Sequence, residues 1–227
     1  MKKQKLILFF LFLSVYSFSQ DYKGSFGLIA SYDIPLISYV SSTGPQKSYE
    51  YKDLNGYSIG FNNKIKSKLN DKLFYRSVCL FSKYSYQVDY NNIFNNSVDP
   101  SLIKLSTYKY YSLNFQIGLN YNFIEIGHFT LIPSLGFNCG YSLYNTVIDI
   151  YEDDSKNTST SSCSIYQPYP VFISLQINFG IEYKISDRFQ ILIEPYLNYG
   201  VVRMGNEMDL CDLSIFGSLI SINYKYK

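Results

Sequence analysis

From Tyr111 to Phe123 the chain alternates residue by residue. Tyr111, Leu113, Phe115, Ile117, Leu119, Tyr121 and Phe123 are apolar, and the positions between them are Ser, Asn, Gln, Gly, Asn and Asn. A period of two places the two sets on opposite faces of a β-strand, whereas a helix would repeat every 3.6 residues. The pattern returns three times. In 129–143 only Ile132 breaks it, and it recurs in 171–184 and in 189–201. Weaker versions with strand composition occupy 24–33, 56–65, 72–85 and 213–226. No helical period interrupts them, so the expected content is eight strands.

The connections alternate as regularly as the residues do. Segments 34–55, 86–107, 144–169 and 202–212 are long and polar, while 66–71, 124–127 and 185–187 are short. Long loops at one end and tight turns at the other describe an up-and-down sheet, the layout of an outer-membrane barrel. The polar face carries Asn, Gln, Ser and Gly rather than charge, which suits a crowded lumen better than the open surface of a soluble, lipocalin-like barrel. Each strand also reaches the ~9–11 residues that a tilted strand needs to cross hydrocarbon. In lipid every backbone polar group must pair internally, so a chain that spans with strands must close its sheet. The expected fold is therefore all-β, an eight-stranded antiparallel transmembrane barrel. An extra hairpin from 86–107 or 144–169 would make ten strands. Pro133 and Pro195 fall mid-strand, where each deletes a ladder donor and predicts a bulge or a local irregularity.

The N-terminus reads as an export signal. Lys2, Lys3 and Lys5 precede an apolar run from Leu6 to Tyr16, and Ser17 and Ser19 then form a small-residue cleavage site. Residues 1–19 are expected to be removed, leaving 20–227 as the barrel domain. The apolar run is shorter than the ~20 residues of a membrane-spanning helix. The expected destination is the outer membrane of a Gram-negative bacterium, with both termini in the periplasm.

Composition narrows the function. Of 227 residues 17% are charged, and there are 25 Tyr, 17 Phe and no Trp. Removing the signal leaves 17 basic against 18 acidic residues, so no basic surface for nucleic acid is expected. Tyr and Phe at strand ends, such as Tyr111, Phe123, Phe129, Tyr141, Tyr183 and Phe189, are placed for interfacial girdles. The expected partners are outer-membrane lipids, lipopolysaccharide and the machinery that inserts barrels.

The stretches Tyr-Tyr-Ser-Leu-Asn-Phe-Gln-Ile-Gly-Leu-Asn-Tyr (110–121), Pro-Ser-Leu-Gly-Phe-Asn-Cys-Gly-Tyr (133–141) and Phe-Gly-Ile-Glu-Tyr (179–183) resemble the small outer-membrane β-barrel family called porin-like or PorT-like. The resemblance covers the second half, from about Tyr108 to Tyr226, and the first half matches loosely. It implies barrel architecture and says little about activity. Members often end on an aromatic residue read by the insertion machinery. Here Lys227 is last, so Tyr224 and Tyr226 are the candidates for that signal.

Candidate chemistry is sparse. His128, the single histidine, borders a short turn, whereas barrel enzymes of this size class use a His near the opposite rim. No catalytic constellation, metal-ligand spacing or phosphate-cradling loop is present, so neither a cofactor nor enzyme activity is expected. The remaining candidates are charges on the polar face: Glu194 in mid-strand, Glu182 and Lys184 toward the short-turn end, and Arg76. Charges in a narrow lumen must be paired. They form either a plug, since eight strands leave room only for side chains, or the constriction of a small diffusion pore. A lipid-modifying enzyme is the weakest of the three readings. Cys163 and Cys211 lie in adjacent long loops, where an oxidising compartment would allow a disulfide. Cys79 and Cys139 are separated by a whole strand, too far apart to bridge. The acidic group Asp149, Glu152, Asp153 and Asp154 reads as a solvated loop.

Overall fold

The computed structural model describes residues 23–41, 50–89, 103–162, 171–202, 204–206 and 209–226. The expected signal segment lies outside them. The described strands are β1 (Gly24–Ser41), β2 (Glu50–Lys66), β3 (Leu73–Asp89), β4 (Ile103–Tyr121), β5 (Ile124–Ile126), β6 (Phe129–Tyr151), β7 (Lys156–Ser162), β8 (Val171–Lys184), β9 (Phe189–Val202), β10 (Met204–Asn206) and β11 (Asp209–Tyr226). All pair antiparallel with their neighbours, and β1 pairs β11 to close the sheet on itself.

Three short strands add no new stave. β5 continues the line of β4 against β6, β7 continues that of β8 against β6, and β10 continues that of β9 against β11. The ring therefore has eight staves, and the hairpin within 144–169 rises above the ring instead of widening it. Three turn regions, 67–72, 122–128 and 185–188, lie at the same end as both ends of the described chain. Gly127, with φ of 58°, permits one of them.

The register fixes the dimensions. A row of register partners runs from Gly24 through Ile65, Tyr75, Leu119, Leu135, Ile177, Leu197 and Phe216, and returns to β1 at Ile34, ten residues higher. Eight strands with a shear of ten tilt by about 40° and enclose a backbone radius of about 8 Å. Each residue then climbs about 2.5 Å along the axis, and each step across to the next strand along a row about 3 Å.

The two faces separate as the alternation predicts. Phe137, Ile177, Ile193 and Ile222 are among the exposed apolar residues, whereas Asn114, Asn138, Asn198 and Glu194 are buried inside. Ile132, the exception within its run, is inward and fully buried. Outward tyrosines collect at two levels, joined by some phenylalanines, while others such as Phe137 and Phe179 lie in the band between. Phe26, Tyr183, Phe189 and Tyr224 mark the short-turn end, and Tyr57, Tyr111, Tyr141 and Tyr199 the long-loop end. The band between them is about 25 Å tall, the height of a transmembrane barrel's apolar belt.

One expectation needs revision. The strands run well past the sequence boundaries at the long-loop end; β2 begins at Glu50 rather than 56, and β6 reaches Tyr151 rather than 143. Above the lipid both faces meet water, so the chain has no reason to alternate there. The prolines produce interruptions in the ladder. At Pro195 the β8–β9 pairing lapses opposite Phe179 and Gly180 and resumes in unchanged register. Opposite Pro133, β4 gives way to β5 with a one-residue slip. The register shifts proper lie elsewhere, as between Leu54 and Tyr57 on β2.

Candidate functional site

The lumen is built from every second residue of the eight staves, and its charges sit in the half nearer the short turns. Lys64 on β2 and Arg76 on β3 are direct register partners, both pointing inward and buried. Two like charges side by side repel. They are held there by carboxylates on the opposite wall. Arg76 pairs with Glu194 of β9, and Lys64 with Glu182 of β8 at 3.2 Å. In an eight-stave ring β2 and β8 are four steps apart in either direction, as are β3 and β9. Each ion pair therefore spans the full diameter of the barrel.

Neutral side chains complete the quartet. Gln190 Nε2 donates to Glu182 Oε2 at 2.6 Å, and Ser134 Oγ donates to Glu194 Oε1 at 3.3 Å. The Lys64 ammonium also lies 4.4 Å from the centroid of the Phe74 ring. Three of the four charges expected in the lumen, Arg76, Glu182 and Glu194, are brought together. Lys184 is not among them. It is partly exposed and stands 3.8 Å from Glu125 on β5. As the last residue of β8, next to the turn at 185–188, it has already left the lumen. The partner of Glu182 is Lys64 instead.

The half nearer the long loops is organised around Asp33. Its carboxylate is fully buried and accepts hydrogen bonds from Ser58 Oγ (2.7 Å) and the Tyr196 hydroxyl. Nearby, Asn114 Nδ2 donates to Ser82 Oγ at 2.6 Å and to the Tyr84 hydroxyl at 3.2 Å. Phe172 fills the space beside Gly140, where a Cβ would come within 2.0 Å of its ring. Above them Tyr86 stacks on Tyr108 and Tyr110, with centroids 4.8 and 5.8 Å apart. A cavity of about 10 Å³, room for about one water, lies in the lumen beside Arg76, Gln116 and Gln176.

Other candidates fall outside the lumen. Tyr224 faces outward and packs edge-on against Phe189, with centroids 5.4 Å apart. Tyr226 lies over Gly24, where a Cβ would come within 2.6 Å of the hydroxyl, and donates to Asn63 Oδ1 at 3.0 Å. The last tyrosine thus reaches across β1 to β2 over the closing seam. Cys79 and Cys139 are free, and the register puts Phe115 of β4 between them. Cys163 lies outside the described residues, and with it the expected pairing to Cys211. His128 is exposed in the turn before β6, its ring 6.1 Å from that of Tyr183.

The acidic group is occupied by local contacts. Ser106 Oγ donates to Asp149 Oδ1 at 2.5 Å, and Lys104 lies 3.8 Å from Asp154. Hydrogen bonds from the Ser155 hydroxyl and amide hold the Asp153 carboxyl below its ordinary value. Among the described residues no three metal-ligating side chains converge.

No protein-family model and no curated protein matches the chain. Solved structures do. The outer membrane protein OprG from Pseudomonas aeruginosa is similar over 90% of this chain and 97% of its own, at 11% identity and a TM-score of 0.51. The E. coli outer membrane protein W is similar over 92% of this chain and 100% of its own, at 8% identity and a TM-score of 0.47. For Neisserial surface protein A the corresponding values are 89%, 97%, 14% and 0.44. At such identities it is the fold that is shared, and OprG carries the comparison. Closed ring, apolar belt, twin girdles and polar interior together make this chain a transmembrane barrel with the fold of the small outer-membrane β-barrel proteins.

Proposed function

We propose that this chain is a non-enzymatic integral outer-membrane protein whose lumen is closed. Its task is then structural, or one of surface contact through the long-loop end. The observation that carries this reading is the pair of ion pairs across the barrel diameter, Arg76–Glu194 and Lys64–Glu182. In this reading residues 1–19 direct export and are removed. The short turns and both termini face the periplasm, and Tyr224 and Tyr226 are presented to the insertion machinery. The position of His128, exposed in a turn with its ring 6.1 Å from that of the outward-facing Tyr183, supports a role without catalysis.

Conductance tests it. The mature chain, residues 20–227, is refolded into a planar bilayer, with Glu194→Ala recorded alongside. A closed lumen gives a silent bilayer from protein shown to be inserted. Reproducible unitary steps that change size in the variant would overturn the proposal in favour of a small diffusion pore lined by these charges.

A further inference from the structure

On the outward face the described residues between the two girdles are apolar or small and polar, with one exception, Lys83. Its place on β3 is two residues beyond the exposed Phe81, on the same face. In register it stands between Tyr57 of β2 and Tyr111 of β4, and the row extends to Tyr32 on β1 and Tyr144 on β6. A lysine thus interrupts a row of four tyrosines across five strands. By the register arithmetic it sits at the upper edge of the apolar belt, within about 3 Å of the level of Tyr57 and Tyr111.

A charge at that depth needs an anion or water within reach of its flexible stem. Lys109 lies two residues beyond Tyr111 on the same face of β4, making it a diagonal neighbour about 7–8 Å from Lys83. Two ammonium groups at this spacing repel unless an anion lies between them. The residues directly opposite this pair on adjacent strands are Tyr57, Ser85, Tyr111 and Thr146, and none is acidic.

We propose that Lys83 and Lys109, framed by Tyr57 and Tyr111, bind a phosphate of a lipid-A-type glycolipid in the surrounding leaflet. The tyrosine rings lie along the upper acyl chains, and the two ammonium groups meet the phosphate at the headgroup level. This inference rests on the membrane reading, with the long-loop end in the glycolipid leaflet.

The test is retention of lipid by the refolded mature chain in mixed micelles, counted by native mass spectrometry. The competing probes are bisphosphorylated lipid A and the same lipid stripped of phosphate. Wild-type protein should retain the phosphorylated form preferentially. At about 1 kcal/mol for each lysine near a charged lipid surface, Lys83→Ala should weaken retention about fivefold, and Lys83→Ala with Lys109→Ala about thirtyfold. Lys83→Arg should retain it. Both lysines face outward, so the variants keep the gel mobility of the folded barrel. Equal retention of the two lipids, or unchanged retention by the double variant, would overturn the proposal while leaving the barrel standing. A chain that forms no barrel in either lipid would overturn the membrane reading and this inference with it.

Discussion

Removing Glu194 should be among the most destabilising single changes available to this barrel, and the reason is specific. The Glu194 and Arg76 side chains are 0% and 5% exposed, so the guanidinium cannot turn to water when its partner goes. It would also remain beside Lys64, its register neighbour, with Glu182 as the one carboxylate left for two cations. Breaking a buried pair by removing one partner costs about 3–5 kcal/mol, and Glu194→Ala should fall in that range. Removing both charges is a different perturbation. Arg76→Met with Glu194→Leu leaves no stranded charge and should stay within about 2 kcal/mol of wild type, giving a coupling energy of several kcal/mol. The chain has no Trp, so urea unfolding in phospholipid vesicles is best followed by gel mobility of unboiled protein and by tyrosine circular dichroism. A loss below about 1 kcal/mol for Glu194→Ala would refute the strut, as would strict additivity of the two single changes.

Two further outcomes follow from the same geometry. Tyr196→Phe removes one of the two hydroxyl donors to Asp33 and should cost about 1.5–3 kcal/mol in the same unfolding assay; a change under about 0.5 kcal/mol would show that the carboxylate does not depend on it. Deleting residues 222–227 removes the pairing of β11 with Gly24–Leu28 and the clasp of Tyr226 on Asn63, and should abolish assembly into membranes, measured as the heat-modifiable gel band. Normal assembly of the truncated chain would refute any role for Tyr224 and Tyr226 in closure.

What could be read from sequence depended on how strictly lipid disciplines the outer face. From β4 through β9 the outward positions are almost uniformly apolar and the inward ones polar, so the strands stand out. In β1 and β3 the lumen itself is partly apolar, with Ile29, Val78 and Leu80 buried inside, and the alternation blurs. The phase of Arg76 is therefore less legible in sequence than that of Glu194. Lys64 does not stand out, because Asn62, Asn63 and Lys64 are polar on both faces near the end of their strand. Asp33 is obscured for a related reason: it is the last residue of the strand as the sequence delimits it, so it reads as a loop edge although the strand continues to Ser41. The pairing across the diameter was beyond any local pattern. It depends on the shear, and a shear of ten emerges only when eight registers are summed around the ring.

The two layers of the lumen bear differently on the question of a pore. An ion entering from the long-loop end would first meet the stack of Tyr86 on Tyr108 and Tyr110, then Tyr84, Phe172 and the hydroxyls about Asp33, an aromatic and hydrogen-bonded layer with a single carboxylate. That layer could yield by rotating side chains. In the closed-lumen reading the layer below could not, because both ion pairs cross the whole diameter and each must break before the axis is clear. A barrel so built can be uncorked only by a change that neutralises both walls together, such as replacing Lys64 and Arg76 along with Glu182 and Glu194. Conduction gained by that quadruple variant and absent from the native chain would locate the closure in the charged layer rather than in the aromatic one above it.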